Sequence, residues 1–430
     1  MVMETGKFYF YKKGVYIPYT DPMIKTNMKV WIDETNDDNI NNPEWKIVKF
    51  STQLFHQVKN HLHANMKQLD EFDIYDWRVN CLNGFVDLRD GTFSDHWDFD
   101  QNPYLSFIQI PVYYDPEAKC LHILQFIIDV FGIDRFPFIY EIIGYLLYQS
   151  NKFQKAFIFF GEASSGKTTF IELIRYFLGD KNIQDISIQK INQRFQMGNI
   201  RNKLANIYDD LPVKKLSYIQ NFKQIVTNKT LTAELKGVQD LVTWRNFCKQ
   251  IYTCNTLPEV AENTGDDFWR RIILVHCTNY FDNGTKDFDI SSKITGHKEM
   301  SGLLNMVIHH FKDLYERRHF REEYDNIETV KGIWQININP LKLFLDTNCV
   351  LNENEREEAD YFRTQVNAFR AERNALPITM NLITRRLKGL GIVKKRQKNK
   401  NYYYIGIKIT KTIIDKIESI ILGGSNLDEF

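Results

Sequence analysis

Phe157-Ile-Phe-Phe-Gly161-Glu162-Ala163-Ser164-Ser165-Gly166-Lys167-Thr168-Thr169-Phe-Ile-Glu-Leu173 runs from four apolar residues through a turn of small residues into an amphipathic stretch. Residues 161–168 fit the spacing G-x-x-x-x-G-K-[ST]. Each fixed position has a physical reason. The two glycines let the backbone wrap so that successive N–H groups point inward at phosphate oxygens. Lys167 brings a point charge to the outer phosphates, and the Thr168 hydroxyl is placed to ligate Mg²⁺. A helix that starts here also aims its positive end at the same anion. Apolar Lys155–Phe160 before the turn and Thr168–Leu178 after it supply the strand and helix that the loop needs. Residues 161–169 are therefore expected to bind ATP or a similar nucleotide, with Mg²⁺.

Outward from this loop, residues 155–282 alternate apolar β-rich runs (155–160, 203–208, 249–254, 272–277) with helical stretches (167–178, 216–227). Such alternation predicts an α/β layer with a mostly parallel sheet. Three polar positions follow the later strands. Asp209-Asp210 ends the run Lys203–Tyr208, where the first carboxylate can hold Mg²⁺ through water and the second can orient an attacking water. Asn255 ends the run 250–254 and is placed to sense the outermost phosphate. The pair Arg270-Arg271 precedes the last run; it reads either as an ion-paired scaffold or as a finger reaching a neighbouring subunit's site.

The flanks have different patterns. Residues 1–118 are rich in aromatics in short alternating stretches, such as Lys7–Lys12 and Gly14–Pro18, which predict short strands and turns. Asn83-Gly84 and the residues to Gly91 read as turn, strand, turn. Asp73-Ile-Tyr-Asp76 has no companion His or metal framework and reads as a solvated turn. From 119 to 150 two apolar runs at helical spacing predict a small helical layer. Leu303–Arg318 and Ala359–Glu372 also read as helices. Between 381 and 410 there are nine Lys/Arg (385, 386, 388, 394, 395, 396, 398, 400, 408) and no acid. Helices, Gly389-Leu-Gly391, a basic turn and Tyr402-Tyr-Tyr-Ile-Gly-Ile together suit a winged helix. The divisions expected are 1–118, 119–150, 151–300, 301–340 and 341–430.

Composition excludes little. Basic and acidic residues nearly cancel (net +1), so total charge does not argue for a nucleic-acid partner; only its distribution does. Six cysteines form no C-x-x-C pair and read as reduced, buried thiols. No leader-like segment and no apolar run approaching 18 residues is present, which predicts a protein neither secreted nor membrane-spanning and so cytoplasmic.

The order of these motifs resembles superfamily 3 helicases, the hexameric ring motors of small viruses and plasmids, and within them the poxvirus, phage and plasmid primase–helicase type. Residues 221–237 are similar to the family segment that forms a β-hairpin in the ring channel, where a basic residue grips single-stranded DNA. The resemblance points to Lys236 first and Lys229 second for that contact. Asn255-Thr-Leu-Pro258 looks like the family's sensor motif, Trp269-Arg270-Arg271 like its arginine-finger segment, and Cys81–Leu88 like part of the N-terminal domain found before such motors. Related motors commonly carry a Glu where this chain has Asp-Asp.

The resemblance implies an AAA+-like ATPase core of α/β class, an α+β domain before it and a winged-helix-like domain after it, with Arg385, Arg386, Lys394, Lys395 and Arg396 meeting DNA phosphates. It further implies a homo-hexamer acting on single-stranded and forked DNA as a 3′-to-5′ translocase in the host-cell cytoplasm. No primase domain is legible, so the chain is expected to be a stand-alone helicase or the motor part of a longer primase–helicase. A packaging or partitioning ATPase, and a DNA-binding module that uses the loop as an assembly switch, are the rival readings.

Overall fold

A computed structural model describes residues 2–4, 7–41, 46–64, 73, 75–96, 106–212, 214–216, 219–236, 240–261, 264–282, 284, 286–338, 340–371, 377–397 and 401–410. The chain begins with an antiparallel meander, β1 (Val2–Glu4), β2 (Lys7–Lys12) and β3 (Val15–Tyr19), backed by helices α1 (Asp21–Asp38) and α2 (Thr52–Ala64). Phe8, Tyr19, Ile24, Met28 and Phe55 make a small core there. The two helices are an addition to the strands and turns expected for this region. A second antiparallel sheet joins β4 (Arg78–Asn80), β5 (Gly84–Asp87) and β6 (Phe93–Asp95).

Helices α3 (Leu121–Phe131) and α4 (Phe136–Leu147) then lead into the central layer. Its elements are β7 (Ala156–Phe160), α5 (Lys167–Leu178), β8 (Ile183–Gln184), β9 (Ala205–Tyr208), α6 (Gln220–Val226), β10 (Thr230–Ala233), β11 (Val242–Arg245), β12 (Lys249–Cys254), α7 (Asp266–Trp269) and β13 (Ile272–His276). Five strands form one parallel sheet in the order β13-β7-β12-β9-β8. The expected α/β class and parallel sheet are therefore present, with a fifth strand at the edge.

Strands buried on both faces need unbroken apolar runs, and β7 (Ala-Phe-Ile-Phe-Phe) is buried at every position. Its period-2 alternation divides the core. Phe157 and Phe159 pack with Ile207, Ile251 and Val275 under α3, α4 and α5. Ala156, Ile158 and Phe160 pack with Tyr252, Phe222 and Phe268 on the opposite face. Between β9 and β12 the interior is polar but satisfied. Asn206 Nδ2 donates to Gln250 Oε1 (2.9 Å), Tyr252 Oη donates to the same oxygen (3.0 Å), and Asn206 Oδ1 accepts from Ile186 N (2.8 Å).

Past the sheet come α8 (Ile290–Ile294), α9 (His297–Arg317), α10 (Glu322–Asp325) and α11 (Ile327–Ile338). Helix α9 packs along α4: Gly144 of α4 lets Phe311 of α9 come close, and Gly302 of α9 lies against the Lys119 backbone. Helix α11 docks Trp334, fully buried, against Phe268 and Trp269, and its indole N–H donates to Pro258 O (2.9 Å).

The C-terminal unit runs α12 (Pro340–Asn348), β14 (Cys349–Glu358), α13 (Ala359–Ala371), α14 (Met380–Lys388), β15 (Val393–Arg396) and β16 (Tyr402–Ile409), with an antiparallel sheet in the order β14-β16-β15. It has its own core, built on Phe344, Phe362, Phe369, Leu387 and Tyr404. No helix among the described residues is long and apolar enough to cross a membrane. All six cysteines are free, five of them buried.

Candidate functional site

The C-terminal ends of β7, β9 and β12 converge on one cavity of about 730 Å³. In open parallel sheets this edge is where ligands bind, because the loops there diverge and leave a crevice. The loop after β7 is shaped as its glycines require. Gly161 has φ +153°, and a Cβ there would meet Cys277 O at 2.3 Å; Gly166 has φ +84°, and a Cβ would meet Val130 Cγ2 at 2.6 Å. Glu162, Ala163, Ser164 and Thr168 are exposed along the loop, Thr169 is half-buried and Ser165 is buried.

Lys167 begins α5 and turns its three N–H groups onto oxygens of its own loop: Gly161 O (2.8 Å), Glu162 O (2.7 Å) and Ser165 Oγ (3.0 Å). Burial lowers its pKa, and the neighbouring Cys277, Cys254, Asp209 and Glu162 oppose that shift. A lysine so held has its charge at the N-terminus of α5, where an anion would meet both the ammonium and the helix end.

Opposite the loop, Thr168 Oγ1 donates to Asp209 Oδ2 (3.5 Å). The other carboxylate oxygen, Asp209 Oδ1, accepts from the Thr253 hydroxyl, and the same hydroxyl accepts from Asp210 N–H (2.8 Å). Thr253 is buried in β12, and Asp210 has φ +57°. One threonine thus fixes both acids. Thr253 was not singled out by sequence reasoning; its signal was its place two residues before Asn255, on the sheet's central strand. Asn255 lines the same cavity and is exposed. A hydroxyl and a carboxylate facing one another at the N-terminus of α5 are the donor set that Mg²⁺ takes, all oxygen and few in number. Thr168 and Asp209 fit it.

The arginine pair lies elsewhere. Ile272 and His276 of β13 pair with Ala156 and Phe160 of β7, so the start of β13 is four strand steps, about 13 Å, from the end of β7 that carries the loop. Arg270 and Arg271 precede that start and do not join the cavity of their own chain.

The two also differ in setting. Arg271 is buried, donates to Asp267 O, and has its pKa lowered by burial and by Arg270. Among the described residues near this segment, Lys223 pairs with Asp267 (2.6 Å), Lys331 with Asp266 (2.7 Å), and Lys155 with Asp325 and the Arg270 carbonyl. The Arg270 guanidinium is exposed and, among the described residues, pairs with nothing.

Strands β10 and β11 form the expected antiparallel hairpin, with Thr230 opposite Arg245 and Ala233 opposite Val242. Lys229 is exposed at its root and Lys236 near its tip; Gly237, the last residue of the expected segment, lies outside the described residues. The root is tied down. Asn151 Nδ2 donates to Ile225 O (3.1 Å) and Asn246 Nδ2 to the same carbonyl (2.6 Å). Arg245 pairs with Asp76 (2.5 Å) and donates to Asp73 O (2.6 Å). Asp73 itself is buried and accepts from Ser106 Oγ (2.6 Å) and Phe107 N (3.2 Å). This corrects the reading of 73–76 as a solvated turn: both acids are tethers, one of them to the hairpin. Among the described residues no cluster of three or more His, Cys, Asp or Glu could hold a metal.

In the C-terminal unit Arg385 and Arg386 are exposed on α14, Lys395 and Arg396 are exposed on β15, and Lys394 is half-buried. Lys398 and Lys400 lie outside the described residues. Tyr402 is exposed under Lys394 (4.7 Å) and Arg396 (5.8 Å), a cation–π pairing. Tyr404 points into the core, where its hydroxyl meets Thr384 (2.8 Å).

Residues 2–132 match the family model described as D5 N terminal like. Residues 159–271, which hold the loop, both acids, the hairpin and the arginine pair, match a family of unknown function, DUF5906. No curated protein matches the chain. Among solved structures, the A form apo structure of the NrS-1 C terminal region is 14% identical, with 84% of this chain and 92% of that chain covered and a TM-score of 0.42. A second A form, of NrS-1 residues 305–718, is 16% identical over 71% of this chain and 80% of that one, with a TM-score of 0.37. The N-terminal match supports similarity to the phage and viral primase–helicase type.

Proposed function

We propose that the chain is an ATP-dependent DNA helicase or translocase of a replicating virus or plasmid, working as a ring of six with its ATP sites between subunits. One observation carries this reading. The phosphate loop, Asp209 and Thr253 meet at one end of the parallel sheet, while the uncommitted cation Arg270 sits at the other end, four strand steps away. That separation keeps Arg270 from its own site and supports its reading as a finger for a neighbour's, a role that contributes ~10³–10⁵ in rate.

The loop and Lys167 hold the phosphates of ATP, Thr168 and Asp209 hold Mg²⁺, Asp210 orients the attacking water and Asn255 senses the outermost phosphate. The metal supplies charge neutralisation on the phosphates. Strand β12 follows the hairpin after three residues and carries Thr253 near its other end, so the hairpin and the acids that Thr253 holds are tied to one fully buried strand. Lys236 and Lys229 grip single-stranded DNA in the channel. The helix–strand–helix–helix–strand–strand order of the C-terminal unit supports the winged-helix reading, in which Arg385, Arg386, Lys394, Lys395 and Arg396 bind phosphates of forked DNA, with log affinity falling by roughly 0.7–0.9 per decade of salt for each phosphate neutralised. The hairpin favours unwinding over a packaging role. The motor stands alone or acts beside a primase, fused upstream or separate.

ATP hydrolysis with and without single-stranded DNA, and unwinding of a forked duplex, test the proposal on the wild type, Lys167→Ala, Arg270→Ala and Arg271→Ala. Mixing Arg270→Ala with Asp210→Asn subunits creates some interfaces that keep both an intact acid and an intact finger. Activity returning at intermediate ratios supports the shared site. Inactivity at every ratio, with mixed rings shown to assemble, refutes it. DNA-independent hydrolysis with the fork left paired sinks the helicase reading in favour of another motor.

A further inference from the structure

The cavity extends well past the groups that a triphosphate and its metal would use. Its far half lies between one face of α3 and a wall formed by Phe281 and residues from 286 to 293. His122, Gln125, Phe126 and Asp129 line it at positions i, i+3, i+4 and i+7, which is a single face of a helix. Phe281 and Ile290 line the opposite wall, and Lys286, Asp287 and Lys293 its rim.

Both walls are fixed to the phosphate loop. Phe281 N donates to Ser164 O (2.9 Å), Asn279 Nδ2 donates to the Asp129 carbonyl, and Val130 packs against Gly166. The distance from loop to walls is therefore set by the fold, as a ligand with an anionic end and a flat apolar end requires.

Most of the polar groups in this half already have partners. His122 pairs with Glu299 (3.0 Å), Lys293 pairs with Asp287 (2.6 Å), and Lys286 lies over the Phe288 ring (5.3 Å). On the α3 face, Gln125 Nε2 donates to Asp129 Oδ1 (2.7 Å). That bond leaves Gln125 Oε1 and Asp129 Oδ2 as two acceptors on one edge, beside the apolar Phe126 and across from Phe281. An edge rich in acceptors takes donors, and a carboxylate takes them with charge assistance.

We propose that this half-cavity is the nucleoside subsite: Phe281 and Phe126 contact the flat base, and the Gln125–Asp129 edge accepts hydrogen bonds from nucleoside donors. The donors are the amino group of the base or the ribose hydroxyls, so the site selects a nucleotide that carries the donor it reads; ATP carries both. The assignment rests on the nucleotide reading of residues 161–169 and adds to it the residues that choose among nucleotides.

Calorimetric binding of ATP, 2′-deoxy-ATP, purine riboside triphosphate and inorganic tripolyphosphate to the full chain tests it. Phe281→Ala is expected to weaken all three nucleotides at least tenfold and to leave tripolyphosphate within twofold, which also shows that the variant is folded. In the wild type, the analogue lacking the recognised donor binds about tenfold more weakly than ATP: 2′-deoxy-ATP if the edge reads the ribose, purine riboside triphosphate if it reads the base. Asp129→Ala removes that difference. Lys167→Ala should abolish binding of all four ligands, and if it leaves them unchanged the nucleotide reading itself fails. If Lys167→Ala abolishes binding while Phe281→Ala and Asp129→Ala keep every nucleotide within twofold of wild type, the subsite proposal alone is overturned.

Discussion

Replacing Thr253 by Val removes one oxygen from the middle of the sheet and nothing else, because valine keeps the β-branched shape that β12 packs. Two bonds go with that oxygen. The donor to Asp209 Oδ1 is lost, a hydrogen bond to a charged acceptor of about 1.5–3 kcal/mol. Asp210 N–H loses its acceptor at 2.8 Å, at about 1–3 kcal/mol for an unsatisfied group. Asp209 and Asp210 are both exposed, so water recovers part of each, and the low ends sum to roughly 2.5 kcal/mol. Asp210 also loses a bond that holds its left-handed φ of +57°. With Asp209 free to turn away from Thr168, the Mg²⁺ concentration for half-maximal ATP hydrolysis should rise at least tenfold, which is about 1.4 kcal/mol. Thr253→Ser, which keeps the hydroxyl, should stay within about threefold of wild type. The assay is steady-state hydrolysis titrated with Mg²⁺ at saturating ATP. Wild-type Mg²⁺ dependence and rate in Thr253→Val would refute the claim that this hydroxyl positions the acids.

Three further outcomes are expected. Trp334→Ala should cost about 3–5 kcal/mol, because a fully buried indole is lost and Pro258 O loses its donor; thermal melting reads this directly, and hydrolysis should fall more than nucleotide binding because Trp269, beside Arg270, loses its packing partner. Gly302→Ala sets a Cβ 2.3 Å from Lys119 C and 2.5 Å from Cys120 N, both backbone, and should lower the urea midpoint by the equivalent of about 1–3 kcal/mol, whereas Gly332→Ala, in open space on α11, should raise it slightly. Burial, with Arg135 and Lys167 adding to it, pushes the His276 pKa down to about 4. The unfolded chain therefore binds a proton that the folded chain refuses between pH 6.5 and 4, so stability falls as pH drops through that window. His276 contributes roughly 1–2 kcal/mol of the fall by pH 5, and His276→Phe should flatten the melting-versus-pH curve there.

How much of this could be read from residues alone depended on how local the physics is. The glycine turn between β7 and α5 was legible because each of its fixed positions answers to backbone geometry within eight residues, and β7, β9, β12 and β13 because strands buried on both faces leave apolar runs. The edge strand Ile183–Gln184 is too short to leave one. Helix α1 was missed because it buries only Ile24 and Met28 along 18 residues, although Pro22 in its first turn was a usable start signal. Strand β14, with Glu-Arg-Glu-Glu at its end, carries no apolar alternation and is held by pairing with β16. The tethering of Asp76 depends on Arg245, 169 residues away, which no local pattern can reveal. Arg270 and Arg271 are the same residue type side by side, and only the burial of one separates them.

The amide pair inside the sheet has a consequence for variation at a distance. Asn206 and Gln250 are direct cross-strand partners, joined side chain to side chain at 2.9 Å in an interior where few other groups could replace either one. Three residues further along each strand, Asp209 and Thr253 meet. The amides act as an alignment key: they mesh only when β9 and β12 are in step, and a slip of one residue would carry the threonine about 3.3 Å from its acid. A change at Asn206 or Gln250 would therefore be felt first in the chemistry, as acids out of step with their hydroxyl, at positions that no inspection of the cavity wall would select.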